Sequence, residues 1–185
     1  ERIDILSSNG IMGILLVVLF LGFFLHFRMA FWVSMVIPVA LLGVFVIGPL
    51  YGFSINVMSL LGLILVLGLL VDHGIVIAEN IYTRFEEGME PVEAAVEGTL
   101  EVIPSVIGSV LTTMVIFAAF FFLDGPLGDR ARDIGFVVII SLAFSLVEAM
   151  FILPAHIAHS KALRHKKADK HSIFQWFDEK MNWLR

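Results

Sequence analysis

Five unbroken apolar stretches run along the chain, each far longer than a strand of a membrane barrel. A bilayer core of about 30 Å needs roughly 20 apolar helical residues at 1.5 Å each. The stretches meet that length: span A about 10–27, span B about 30–53, span C about 55–81, span D about 102–123 and span E about 134–157. Continuous rather than alternating hydrophobicity excludes barrel strands. Span A lacks a basic leader and a small-residue cleavage site, so it does not read as a signal peptide. The pattern predicts an all-α, polytopic membrane bundle over residues 1–160. Tight connections join A to B and B to C. Gly88…Pro91 breaks the C–D connection, with a polar helical lead-in to span D from Val92, and Asp124–Arg130 reads as a short polar turn. Pro38, Pro104 and Pro154 fall where they would kink the spans. Beyond span E, a basic stretch from Lys161 leads into an aromatic-rich segment at 172–185. That pattern predicts an amphipathic helix lying in the cytoplasmic interface, so 161–185 is a separate unit.

Composition narrows the class. Of 185 residues, 59% are hydrophobic and 16% charged, and mean hydropathy is +0.96. Soluble domains run at about 45–50% apolar and about 25% charged. These values exclude a disordered chain and a soluble enzyme. The net charge of −5 offers no basic field for nucleic acid. With no cysteine there is no disulfide framework, thiolate metal site or cysteine nucleophile. Arg2, Arg130 and Arg132 lie on one side of the membrane and the other nine Lys and Arg on the opposite side. The asymmetry predicts an outside N-terminus and a cytoplasmic C-terminus. The five glutamates of the C–D connection oppose that reading weakly, since acids count little in the rule. Opening on Glu1-Arg2-Ile3-Asp4 without methionine, the chain reads as a piece of something longer.

Every Lys and Arg lies outside the spans, and spans A, B and D hold no acid. Asp72, His73 and Glu79 in span C, and Glu148 and His156 in span E, are therefore conspicuous. An ionisable group in mid-bilayer costs about 2.5–3.5 kcal/mol on insertion scales and is a functional candidate by default. Asp72 and Glu79 are seven residues apart, about 20° offset, on one stripe with Gly68; His73 and Asn80 form the next stripe. Asp72 sits about 6 Å and Glu148 about 4 Å to the cytoplasmic side of their span midpoints. With C and E running the same way, the two carboxyls lie at similar depth. Glu148 shares a stripe with Ser141 and Ser145. Two carboxyls and an imidazole at one level suggest proton binding; the other reading is a static hydrogen-bonded cluster holding the helices together. Asp72, His73 and Glu148 are the candidate relay, with Glu79 and Asn80 as accessory positions. Ser105, Ser109 and Thr113 read as helix-packing polar contacts. His156 and His159 read as an interfacial pair without a third metal ligand.

The stretch Gly68-Leu-Leu-Val-Asp72-His73-Gly74-Ile-Val-Ile-Ala-Glu79-Asn80 resembles the fourth transmembrane helix of the resistance–nodulation–division (RND) efflux permeases. Their motif reads G-hydrophobic-hydrophobic-V-D-D-A-I-V-V-x-E-N. His26-Phe27-Arg28, Gly52-Phe53-Ser54-Ile55-Asn56 and Leu153-Pro154-Ala155-His156 match further family segments. The resemblance implies that spans A to E are the second to sixth helices of the N-terminal half, followed by the helix that links the halves. It implies a bacterial inner-membrane, proton-coupled exporter of small molecules with Asp72 as proton-binding carboxylate and no cofactor beyond the proton. The implied partners are the second half of the same permease, two further copies in a homotrimer, a periplasmic adaptor and the lipid bilayer, with no nucleic acid. His73 replaces the family's second aspartate, and Glu148 stands where the better-known drug exporters carry an apolar residue. Two rival readings are a non-transporting five-helix sensor or scaffold resembling a sterol-sensing domain, and an intramembrane enzyme with a metal at His73 or at His156/His159.

Overall fold

The computed structural model describes residues 27–53 and 56–160, together with 8, 11–13, 15, 16, 19 and 163. Those residues are helical or connecting, with no strand among them. Four helical stretches are long and apolar enough to cross a bilayer: Arg28–Tyr51, Val57–Glu86, Pro91–Phe122 and Gly125–His159. They correspond to spans B to E. Span A lies mostly outside the described residues; its described positions 11–13, 15, 16 and 19 are helical. The interfacial helix at 172–185 lies outside them altogether.

Proline and glycine set most of the boundaries. The first crossing is α1 (Phe27–Ser34), a turn at Met35, α2 (Val36–Ile47) and a 3₁₀ turn at Gly48–Tyr51. Pro38 has no N–H for the Ser34 carbonyl, and the offset between α1 and α2 falls one turn before it. Gly52, at φ 68°, closes the 3₁₀ turn in the left-handed conformation that glycine adopts without strain. The long helix α3 (Val57–Glu86) starts on a reciprocal cap: Asn56 Oδ1 accepts from the Met58 and Ser59 amides, and the Asn56 amide donates to Ser59 Oγ. Pro91 opens α4 (Pro91–Ala118), which tightens into a 3₁₀ turn at Ala119–Phe122.

The expected turn at 124–130 is shorter than its polar composition suggests. Helix α5 (Gly125–Val147) begins at once, with Pro126 in its first turn, where a missing N–H costs nothing. Span E is not one regular helix either. A π-helical turn, Glu148–Ile152, separates α5 from α6 (Leu153–His159). There the Leu153 amide donates to the Glu148 carbonyl, five residues back, and Pro154 is unable to donate to Met150.

Helix α3 is the centre of the bundle and packs most extensively on α4 and α5. Small residues allow the approach. A Cβ at Gly62 would stand 3.2 Å from Ile134 Cα, and one at Gly98 would stand 2.8 Å from Ile81 Cα. By contrast α4 lies at the edge. Ser105 and Ser109 are exposed on it, and Thr113 Oγ1 donates to its own helix at the Ser109 carbonyl. These residues do not join helices within the described bundle, because the face of α4 that packs is Ala94, Ala95, Gly98, Thr99, Val106 and Val110.

Candidate functional site

Successive side chains on a helix point about 100° apart, and α3 sends Asp72 and His73 to opposite surroundings. Asp72 is exposed midway along the helix, on a stripe with Leu61, Leu65, Gly68, Val76 and Glu79, all exposed. Gly68, one turn earlier, leaves the space beside it open. His73 is only 8% exposed and lies on the inner stripe with Ser59, Gly62, Val66, Leu70 and Ile77. The two side chains thus leave adjacent positions for different surroundings, with the Asp72 carboxylate still near enough to act on the imidazole.

The inner stripe of α3 faces α5. Asn56 Nδ2 donates to Asp133 Oδ2, and Gly62 touches Ile134 and Val137. These pairs, with Gly74 against Leu153, place an α3 residue level with one 72 to 79 positions further on, so His73 stands level with residues 145–152. On α5, Ile134, Val137, Ser141 and Ser145 recur every three or four positions, and Glu148 continues that stripe in the π turn. Glu148 is 2% exposed, and both serines are fully buried. Among the described residues, His73 Nδ1, Ser141 Oγ, Ser145 Oγ and Glu148 Oε2 are buried polar atoms that take no hydrogen-bond partner. Other helical hydroxyls do otherwise: Ser34, Thr83, Thr99, Thr112 and Thr113 each donate to the carbonyl four residues back.

The accessory residues have different fates. Glu79 is exposed on the Asp72 stripe. Asn80 ties α3 to α4, its Nδ2 donating to the Gly98 carbonyl at 2.7 Å and to Glu101 Oε2 at 2.9 Å. Arg84 reaches the same Glu101 carboxylate through Nε and Nη2, at 3.1 and 2.7 Å, and Glu87 through Nη1. Sequence reasoning did not single out Glu101, although Asn80, Arg84 and Glu101 are the polar residues that flank the close approach at Gly98. His156 stacks on Trp32, with ring centroids 4.2 Å apart, and His156 and His159 each set Nδ1 2.8 Å from the carbonyl four residues back. No group of three potential metal ligands occurs among the described residues.

A family model for the AcrB/AcrD/AcrF permeases matches residues 1–185. The chain belongs to the AcrB/AcrD/AcrF family. This is the RND group that the Gly68–Asn80 motif resembles. Curated relatives agree. The chain is 32% identical over 158 residues to the multidrug resistance protein MdtC of Photorhabdus laumondii, covering 85% of this chain and 15% of that protein. It is 34% identical to MdtC of Salmonella schwarzengrund and 33% identical to MdtC of Escherichia coli strain SE11, each over 145 residues, 78% of this chain and 14% of theirs. The chain thus spans about a seventh of the length of the curated relatives it matches. Membership makes the described helices part of a multi-pass membrane protein of the AcrB/AcrD/AcrF type.

Proposed function

We propose that the chain forms part of the transmembrane portion of a proton-coupled RND exporter in which Asp72 binds and releases the coupling proton. The observation that carries this reading is the place of Asp72, exposed on the flank of α3 among Leu65, Gly68 and Val76. A carboxyl facing lipid at that depth is costly by several kcal/mol, so another protein segment must cover it. The RND resemblance supplies one, the second half of the permease, from which a lysine approaches the motif aspartate. A carboxyl between two halves of a bundle is solvated or desolvated as they move, and desolvation favours its protonated form. Proton affinity then alternates with conformation, which is what antiport requires.

The relatives are named multidrug resistance proteins, which supports small-molecule export from the cell rather than enzymatic chemistry. It gives no support to the sensor or scaffold reading. We further place the protein in a bacterial inner membrane, with the 28–53 crossing running outward, as a trimer acting with a periplasmic adaptor. The test is Asp72→Asn in the full-length permease, which keeps shape and hydrogen bonding but fixes the group neutral. Export is expected to vanish while expression stays near normal. Retained export would make Asp72 a structural residue and overturn the proposal.

A further inference from the structure

We propose that His73, Ser141, Ser145 and Glu148 form a second proton-binding site, buried inside this bundle between α3 and α5, beside the exposed Asp72. The first support is the unmet polar capacity of one interface. Each of the four residues presents a buried polar atom without a partner among the described residues. Such atoms are rare because an unsatisfied buried donor or acceptor is costly. Four from two facing stripes mark a site that takes up something small and polar.

Geometry gives the second support. The inner stripe of α3 carries Gly62 and His73, and Gly62 touches the α5 stripe that continues through Ser141 and Ser145 to Glu148. The register of Asn56 with Asp133 and of Gly62 with Ile134 sets His73 level with Ser145 and Glu148. The two serines leave the carbonyl four residues back, where other hydroxyls in this bundle bond. The π turn begins at Glu148, and such turns recur at functional sites.

Chemistry supplies the third. With no proton between them, a carboxylate and a neutral imidazole leave one negative charge in a low-dielectric interior. With one proton the pair is neutral overall, as carboxylic acid beside imidazole or as carboxylate beside imidazolium. Hydroxyls both donate and accept, so Ser141 and Ser145 serve either state. The other ionisable groups are few. Helix α2 has none, and α4 carries Glu93, Glu97 and Glu101, all exposed near its start, and none after them. Helix α1 brings only Arg28, exposed at its start, and α3 brings Asp72 and Glu79 on its outer stripe and Tyr82, Arg84 and Glu86 at its far end. The charged residues of α5, Asp129 to Asp133, lie turns away, and α6 brings His156 and His159 on an exposed face.

Transport coupling through this site rests on the exporter reading above, but proton binding at Glu148 is measurable without transport. Infrared difference spectra of the full-length permease in nanodiscs, recorded across pH, report the protonated-carboxyl stretch. A band is expected that disappears in Glu148→Gln and persists in Asp72→Asn. In His73→Gln its midpoint is expected to move by about one pH unit or more. The double variant Ser141→Ala/Ser145→Ala removes the hydroxyls available to stabilise the carboxylate once it forms, so its midpoint is expected at higher pH. That pair of small substitutions also reads the site if Glu148→Gln does not fold. A band that survives in Glu148→Gln overturns the proposal, as does a midpoint indifferent to both the His73 and the serine variants. A midpoint that follows sodium concentration at fixed pH overturns it too, in favour of a sodium site. Export retained in Asp72→Asn beside a titrating Glu148 band sinks the proposed function and leaves this site standing.

Discussion

Asp72 and His73 are neighbours in the chain, and a one-residue step along α3 separates an exposed carboxyl from a buried imidazole. The glycines show the same dependence on facing. Gly98 lies against the backbone of Asn80 and Ile81, whereas nothing stands within 4 Å of where a Cβ would sit on Gly108, ten residues along the same helix. A side chain at 98 must push α3 and α4 apart and stretch the Asn80–Gly98 hydrogen bond. Gly98→Val is therefore expected to destabilise the fold by about 1–3 kcal/mol, the range for overpacking a close contact. Gly108→Val should leave it within about 0.5 kcal/mol. Thermal melting of the two purified variants, followed by fluorescence-detected gel filtration, checks the contrast; equal melting temperatures would show that the Gly98 approach is not tight.

Among the elements, the π turn at Glu148–Ile152 is the least regular and the most consequential. Pro154 removes the N–H that an α-helix would direct at Met150, and the Leu153 amide reaches back to Glu148 instead. Restoring that N–H lets an ordinary α-helical turn compete. Regaining it rotates everything before the turn relative to α6, which carries Glu148 off the α3-facing stripe. Pro154→Ala should accordingly keep the protein folded but shift the Glu148 infrared midpoint and reduce export severalfold. An unchanged midpoint and export rate would show that Pro154 does not hold Glu148 in place.

On the scale of the bundle, α3 is held from several sides while its Asp72 stripe stays uncovered. The polar fastenings cluster at its two ends, Asn56–Asp133 at one and Asn80–Glu101–Arg84 at the other. Glu87 and Glu101 are exposed and Arg84 is partly exposed, and screening by solvent leaves such pairs little net effect on stability. Their place marks where the helices leave the apolar zone, which bears on orientation. The chain has no cysteine, so a single introduced one reports unambiguously. Lysine and arginine placement puts Glu90 inside and Asp129 outside. In intact cells Asp129→Cys should react with a membrane-impermeant maleimide and Glu90→Cys only after lysis; the opposite pattern would invert the topology.

Sequence alone determined that spans B to E are membrane-crossing helices, because unbroken apolar runs of sufficient length have one stable form in a bilayer. It also isolated Asp72, His73 and Glu148, since ionisable groups are so costly within such runs that any exception stands out. The motif from Gly68 to Asn80 was enough to suggest the family. Tertiary structure alone decided which of those groups share a surface. Periodicity gives relative angles on one helix, but not which flank meets a neighbour, so the parting of Asp72 from the stripe that looks toward Glu148 depended on how α3 and α5 pack. The contact of Gly98 with Ile81 and the anchoring of Asn80 to Glu101 follow from packing in the same way. The helical start at Gly125 and the π turn were hidden for another reason. Polar composition and proline mark a discontinuity, while its form depends on which carbonyl the remaining amides can reach.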